Sequence, residues 1–411
     1  MASSSPCPPP SPRLAHLLLV LVAAVVLLGR GGEARQPAPL HGVVRSMAFD
    51  EGYTQLFGSG NLALRRDGKR VHLALDESTG ECCPALAAAL MRFRRNMRVR
   101  IALLCFTNGS LLSSVQSPKA EGGRFCDFAN FRVLFTRTCL RLPLPCAGSG
   151  FASQDLFLHG FFSAAVKLPA DYAAGVVVAF YLSNADAYEK THDELDFEFL
   201  GNVRGREWRV QTNVYGNGST GAGREERYDL PFDPTDDFHH YSILWTQHRI
   251  IFYVDETPIR EVVRREAMGA AFPSKPMSLY ATIWDGSAWA TLGGRYRVNY
   301  KYAPFVAEFG DLVLQGCPVN PIDHAAAAAC GTPWYEPAAA SLSAGQQASM
   351  SAFRRGHMSY SYCHDRRRYP VALSECDAAA LPRLFGPDGM KYGGDRRHRR
   401  GGRGHRSDVV M

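Results

Sequence analysis

Residues 192–201 read HDELDFEFLG, with acids at 193, 194, 196 and 198 set between large apolar side chains. Leu195, Phe197 and Phe199 alternate strictly with Glu194, Asp196 and Glu198, and a period of two is the signature of a β-strand. Successive side chains on a strand point to opposite faces, so the apolar three enter a core while the three acids share the other face. Crowded like charges make simultaneous ionisation costly, so at least one acid is expected to hold its proton near neutral pH.

Glu194 and Glu198 lie two pleats apart, roughly 13 Å between Cα atoms at ~3.3 Å per residue, and both side chains are long enough to lean inward. A gap of about 5–5.5 Å between carboxyl groups is what a double-displacement, retaining glycosidase needs, one acid as nucleophile and the other as general acid/base. Asp196 fits between them. An amphipathic strand with a solvated acidic face has the same local pattern, so the pattern alone leaves both open.

The whole chain of 411 residues is 46% hydrophobic, enough to bury one large core or two smaller ones. Arg13, the apolar run Leu17–Leu28 and then Gly32-Glu33-Ala34 have the order of a secretory signal peptide at 1–34, with a mature start near Arg35; a signal-anchor is the alternative. No second stretch of about 18 apolar residues follows that could span a membrane. Secretion permits disulfides. Of the 11 cysteines, Cys7 is in the signal, six fall between Cys82 and Cys146, and four lie near the end. Those four could close two short loops, Cys317 with Cys330 and Cys363 with Cys376. No zinc-like spacing occurs among them, and neither a metal nor a cofactor is expected.

Between 149 and 314, short alternating or aromatic-rich segments recur between turn signals: LFLHGFFSAAVKL, GVVVAFYLS, WRVQTNVY, YSILWTQHRIIFYVD, MSLYATIW and YRVNYKYA. This is the spacing of an all-β sandwich. After Cys317 the sequence becomes Ala-rich, with a helix expected around Gln346–Arg355 and then a Cys-bounded loop. The last residues, GGDRRHRRGGRGHRSDVVM, have the Gly/Arg-rich composition of a disordered tail.

HDELDFEFLGN, FDEGYTQLFGSGNLALRRDGKRVHLALDESTG, SGFASQDLFLHGFFSAAVKLPADYAAGVVVAFYLSN and VNYKYAPFVAEF together resemble the plant xyloglucan endotransglucosylase/hydrolases of glycoside hydrolase family 16, in their longer-tailed subgroup. The resemblance covers about 48–80 and 149–376. It implies a jelly-roll β-sandwich with a concave substrate cleft, a small disulfide-stapled C-terminal extension, and cleavage and religation of the β-1,4-glucan backbone of cell-wall xyloglucan. Glu194 matches the family nucleophile, Glu198 the acid/base and Asp196 the residue that orients the nucleophile. Substrate contacts map onto Glu198, onto Gln211, Thr212 and Asn213, onto Gly223, Arg224 and Glu225, onto Ala288, Trp289 and Gly293, and onto Arg368. Trp289 and Arg224 also read as core packing and a surface ion pair. A predominantly hydrolytic xyloglucanase, or a jelly roll that binds wall polysaccharide without catalysis, are the alternative functions.

The chain also departs from the family. Ala288 stands where Asp is usual. The glycosylation sequon soon after the catalytic strand is missing, since Asn202 precedes Val203 and Arg204; Asn217-Gly218-Ser219 supplies one further on. Residues 81–148 interrupt a connection that is otherwise continuous: deleting them restores LALDESTGSGFASQDLFLHG. They carry 10 basic against 3 acidic residues. Gly80-Glu81-Cys82 can be encoded GGT GAG TGC, which contains a splice-donor string, and Ala147-Gly148 can carry a CAG acceptor. A retained intron is therefore the preferred reading over a genuine inserted module, and a transcript joining codon 80 to codon 149 would decide between them. The insertion is expected between two strands beside the cleft.

The expected organisation is a signal peptide at 1–34, a catalytic jelly roll at 35–316 interrupted at 81–148, a disulfide-containing extension at 317–382 and a basic tail at 383–411. Formal net charge is +7. The insertion accounts for all of it and the tail, with 8 basic against 3 acidic residues, is positive again, so the body is mildly acidic. That balance argues against a nucleic-acid role, while the tail suits an acidic wall polysaccharide. The chain is expected to be a secreted monomer of the cell wall or apoplast, with xyloglucan donor and acceptor chains as partners.

Overall fold

The alternation at 194–200 produces what it implies: Glu194–Leu200 is a strand whose Leu195, Phe197 and Phe199 are fully buried. The computed structural model describes residues 45–58, 60–77, 148–268, 270–319, 341–376 and 384–392. The signal-like segment, 81–147, Cys330 and the chain from 393 lie outside the described residues.

The chain opens with a helical turn α1 (Phe49–Gly52), β1 (Tyr53–Phe57), β2 (Leu62–Arg65) and β3 (Arg70–Leu75). It resumes with β4 (Gly148–Ser153), β5 (Leu156–Lys167), β6 (Val176–Ser183), β7 (Glu194–Leu200), β8 (Arg209–Tyr215) and β9 (Glu226–Asp229). Then come β10 (His239–Trp245), β11 (Arg249–Val254), β12 (Thr257–Val263), β13 (Ser278–Asp285) and β14 (Phe305–Val319). The extension adds α2 (Ala344–His357), β15 (Met358–Asp365) and β16 (Asp388–Met390).

These strands form two antiparallel sheets, the two layers of a jelly roll. One has nine strands in the order β1-β4-β13-β6-β7-β8-β9-β15-β16, with β7 at its centre. The other has seven, β12-β11-β10-β5-β14-β3-β2. The apolar face of β7 packs on the second sheet: Phe197 meets Tyr241 and Phe252 edge-on at 5.6 and 5.2 Å, and Phe199 meets Tyr241 at 4.6 Å. Such edge-to-face pairs add about 0.5–1.5 kcal/mol each to the burial of the rings. The opposite face of β7, with its acids, looks outward.

Two expectations need correction. YRVNYKYA, residues 296–303, is not a strand: Tyr300–Tyr302 form a single 3₁₀ turn. The Asn299 side chain accepts a hydrogen bond from Lys301 N at 3.2 Å, a local bond that competes with strand pairing, and Pro304 has no N–H for a ladder. The strand at this point is instead β14, 15 residues long, which bridges β3 and β5. The two strands flanking 81–148 do not both border the cleft either, because β3 lies in the seven-stranded sheet and only β4 is in the nine-stranded one. Their ends nonetheless meet: Ser149 Oγ donates to Ala74 O at 2.8 Å.

The extension is built into the nine-stranded sheet, since β15 pairs with β9. Helix α2 begins with a reciprocal cap in which Ser343 Oγ accepts from Gln346 N and Gln346 Oε1 accepts from Ser343 N. Near its end Arg354 grips the buried Glu226 of β9 through two bonds of 2.6 and 2.8 Å, with Arg260 of β12 at 3.6 Å from the same carboxylate. The Cys363–Cys376 disulfide is present. Cys317 is disulfide-bonded as well, and its expected partner Cys330 lies outside the described residues.

Burial alone would raise the Glu226 carboxyl, but Arg354 and Arg260 outweigh it and hold it at about 2, below the ordinary 4.5. A depressed carboxyl stabilises the fold above its unfolded pKa and loses that contribution as pH falls toward the folded value. Arg354→Met is therefore expected to cost about 3 kcal/mol at pH 7, at the low end for a broken buried pair because Arg260 remains. Urea unfolding across pH should show the gap to wild type narrowing between about pH 4.5 and 2; equal stability at pH 7 would reduce the pair to a surface contact.

Candidate active site

The central position of β7 makes its outward face the floor of a groove of about 670 Å³. Register fixes the neighbours: Glu194, Asp196 and Glu198 sit opposite Ser183, Tyr181 and Ala179 of β6, and opposite Tyr215, Asn213 and Gln211 of β8. The same parity on β9 turns Arg227 into the groove and its neighbours Glu226 and Tyr228 into the interior. On β13 it turns Thr282 and Trp284 outward. Phe57 reaches the groove because the β1–β4 register shifts between Gln55 and Phe57, a bulge that re-aims the side chain. Trp284 and Trp289, 5.8 Å apart, give one wall two aromatic plates of the kind that sugar rings stack on.

The three acids are out of reach of bulk water to different degrees, and burial dominates their titration. Burial raises Glu194, opposed by a hydrogen bond from Ser183 and by His192. Asp196, only 5% exposed, is driven well up by burial and then by Glu194 and Glu198. Glu198 is pushed up to about 7 by burial and by Glu194, although Gln211 and Arg227 pull it down. Burial also keeps the Tyr181 phenol neutral by raising it far above its ordinary value. A carboxylic acid that holds its proton near neutrality, next to others on the same face, is chemically equipped for general acid/base work.

Of the residues read from the sequence, the groove brings together Glu194, Asp196, Glu198, Gln211, Asn213, Glu225 and Trp289. Gln211 donates to Glu198 at 2.5 Å. Arg368 holds Glu225 through bonds of 2.6 and 3.3 Å, with Gly223 beside them. A Cβ at Gly223 would come within 2.5 Å of the Glu225 carboxylate, so a larger residue there displaces that pair. Gly293 has φ +68°, a turn position natural to glycine.

Three residues are placed otherwise. Thr212 lies between Gln211 and Asn213, so alternation turns it inward, where its hydroxyl and carbonyl accept from Arg260 at 2.9 and 3.0 Å. Arg224 is fully buried, not a surface ion pair, and donates to the carbonyls of Val214 and Ala271 at 3.0 and 2.9 Å. Ala288 is exposed and its methyl carries no polar group. Asp285 lies nearby on the groove wall and accepts from the Tyr300 hydroxyl at 2.8 Å. Asn217 is exposed, as an acceptor of glycan must be. Among the described residues no cluster is placed to hold a metal ion, and no helix is long and apolar enough to cross a membrane.

The first acid of the opening motif has a separate part. Asp193 is fully buried, and its carboxylate accepts from the backbone N–H groups of Asn217, Ser274 and Lys275 at 2.7–2.8 Å and from Lys275 Nζ at 3.0 Å. It ties two loops to the start of β7 immediately before Glu194. Nothing in the alternation marks it, because it precedes the strand.

The glycosyl hydrolases family 16 profile matches residues 124–302, and the xyloglucan endo-transglycosylase (XET) C-terminus profile matches 329–376. The chain is 51% identical over 357 residues to the probable xyloglucan endotransglucosylase/hydrolase protein 27 of Arabidopsis thaliana, covering 86% of this chain and 87% of that protein. With the probable protein 28 of the same plant it shares 48% identity over 382 residues, 92% of this chain and 93% of the relative. Among solved structures, a prokaryotic β-1,3-1,4-glucanase (lichenase) derived from a mouse hindgut metagenome is 20% identical with a TM-score of 0.41, over 67% of this chain and 98% of that one.

Asp193→Asn keeps the shape but removes the charge that Lys275 and three N–H groups share. It is expected to destabilise the fold by about 1–3 kcal/mol in denaturant titration and to reduce turnover through a displaced Glu194. Unchanged stability would remove Asp193 from the scaffold of the strand.

Proposed function

The chain belongs to the xyloglucan endotransglucosylase/hydrolases, and from that membership we propose that it cleaves the β-1,4-glucan backbone of xyloglucan and passes the glycosyl group to another chain end. The observation that carries this reading is one carboxyl face, Glu194, Asp196 and Glu198, lying on the floor of an open groove with tryptophans on its wall.

Glu194 attacks the anomeric carbon as carboxylate, and the glycosidic C–O bond breaks as Glu198 gives its proton to the departing oxygen. The product is a glycosyl ester of Glu194 and a Glu198 carboxylate. In the second half, the hydroxyl of an acceptor sugar attacks that carbon, Glu198 takes its proton, and Glu194 leaves. Two inversions give net retention. Asp196, kept protonated by burial and its neighbours, serves as a donor that orients Glu194. The raised pKa of Glu198 supports its place as the acid/base, because a carboxyl titrating near neutrality can both give and take a proton.

Gln211, Asn213 and Glu225, the last paired with Arg368 of the extension, hold sugar hydroxyls on the acceptor side. A positioned acceptor chain is what lets transfer compete with water, so the transferase direction dominates. The remaining parts of the proposal rest on sequence alone: secretion to the cell wall, a glycan on Asn217, a monomeric state, and a basic tail that touches acidic polysaccharide.

Glu194→Ala is expected to abolish incorporation of a labelled xyloglucan oligosaccharide into polymer without changing the thermal unfolding midpoint. Wild type should incorporate label faster than it releases reducing ends. Binding of xyloglucan with neither incorporation nor chain shortening would make the protein a wall lectin instead.

A further inference from the structure

We propose that Arg227 is a positioning residue for Glu198, acting through the side-chain amide of Gln211. The inference rests on the reading of Glu198 as acid/base. Arg227 Nε donates to Gln211 Oε1 at 2.7 Å, and Gln211 Nε2 donates to Glu198 Oε2 at 2.5 Å. All three side chains come from adjacent strands, β9, β8 and β7, in register: Gln211 is opposite Glu198 on one side and Arg227 on the other.

A glutamine amide has two orientations of nearly equal shape, one presenting its oxygen and the other its NH₂. A guanidinium can only donate, so with Arg227 on one side the carbonyl must face it and the NH₂ must face Glu198. Reversal would set donor against donor at Arg227 and oxygen against carboxylate at Glu198. Arg227 thereby commits Glu198 Oε2 to accepting from the amide. The proton is left to Oε1, and one carboxyl oxygen is singled out to serve the leaving group. Once the proton has gone, the same N–H bond stabilises the carboxylate that remains.

Arg227 is itself held from the far side. Its guanidinium lies 5.0 Å from the ring centre of Tyr360 on β15. The Tyr360 hydroxyl donates to Asp365 at 2.9 Å and accepts from Arg368 at 3.4 Å. The C-terminal extension thus reaches the acid/base through Tyr360, Arg227 and Gln211.

Charge acts alongside geometry. Facing Glu198 are Glu194 and Asp196 from its own strand, Tyr181 from β6, Arg227 and Glu225 at β9, and Asp285 at the end of β13. Tyr215 of β8 also lines the groove. Glu225 is neutralised by Arg368, so Arg227 is the cation in this set that draws the Glu198 proton off. An adjacent cation favours the ionised carboxyl, so removing it raises the carboxyl's pKa. Acid catalysis then persists to higher pH.

The test measures kcat/KM for xyloglucan across pH in wild type, Arg227→Met, Arg227→Lys and Glu198→Gln, with thermal unfolding of each as a check on folding. Arg227→Met is expected to move the basic limb up by about 0.5–1 unit and to lower the plateau about tenfold or more. Arg227→Lys keeps the charge and one donor, and should return the limb to the wild-type position with a smaller loss. Glu198→Gln should lose the limb altogether, with turnover down about 10²–10⁴-fold. Turnover and a basic limb retained in Glu198→Gln would overturn the acid/base assignment itself. A lost limb in Glu198→Gln with an unmoved limb in folded Arg227→Met would overturn the relay and leave that assignment standing.

Discussion

Everything in the groove follows from putting a strictly alternating strand at the centre of a sheet whose other face is sealed. Leu195, Phe197 and Phe199 can be fully buried only if Glu194, Asp196 and Glu198 all face the other way. Four strands on each side of β7 then deny those carboxyls most of the water they would need to ionise freely. Burial is the largest influence on all three, and mutual repulsion adds to it for Asp196 and Glu198. Reactivity here is a consequence of packing.

The same parity rule operates one strand further out and links the groove to the C-terminal extension. On β9, Glu226 points inward to Arg354 of α2 while Arg227 points outward to Gln211 and Tyr360. Adjacent residues of one strand therefore anchor the extension on one face and reach Glu198 through Gln211 on the other. The extension is part of the catalytic sheet, and its Arg368 supplies the ion pair at Glu225.

How much was legible in the sequence depended on whether the deciding force was local. The β7 alternation, the α2 helix and the Cys363–Cys376 closure are short-range patterns, and each is present. Gln211-Thr212-Asn213 reads as one contiguous contact, but strand alternation turns its middle residue, Thr212, inward to Arg260. YRVNYKYA resembled a strand through its aromatic content, while the Asn299 turn and Pro304 set the backbone. Arg224, Asp193 and Arg227 take their roles from partners at least ten residues away, and no local pattern encodes such contacts.

Burial on this face gives the groove a carboxyl that is still protonated near neutrality. Carboxyl-carbon NMR titration of protein labelled at glutamate, comparing wild type with Glu198→Gln, tests it without reference to turnover. One resonance titrating near pH 7 is expected in wild type and is expected to be missing from the variant. A Glu198 signal titrating at an ordinary carboxyl value, near 4.5, would contradict it.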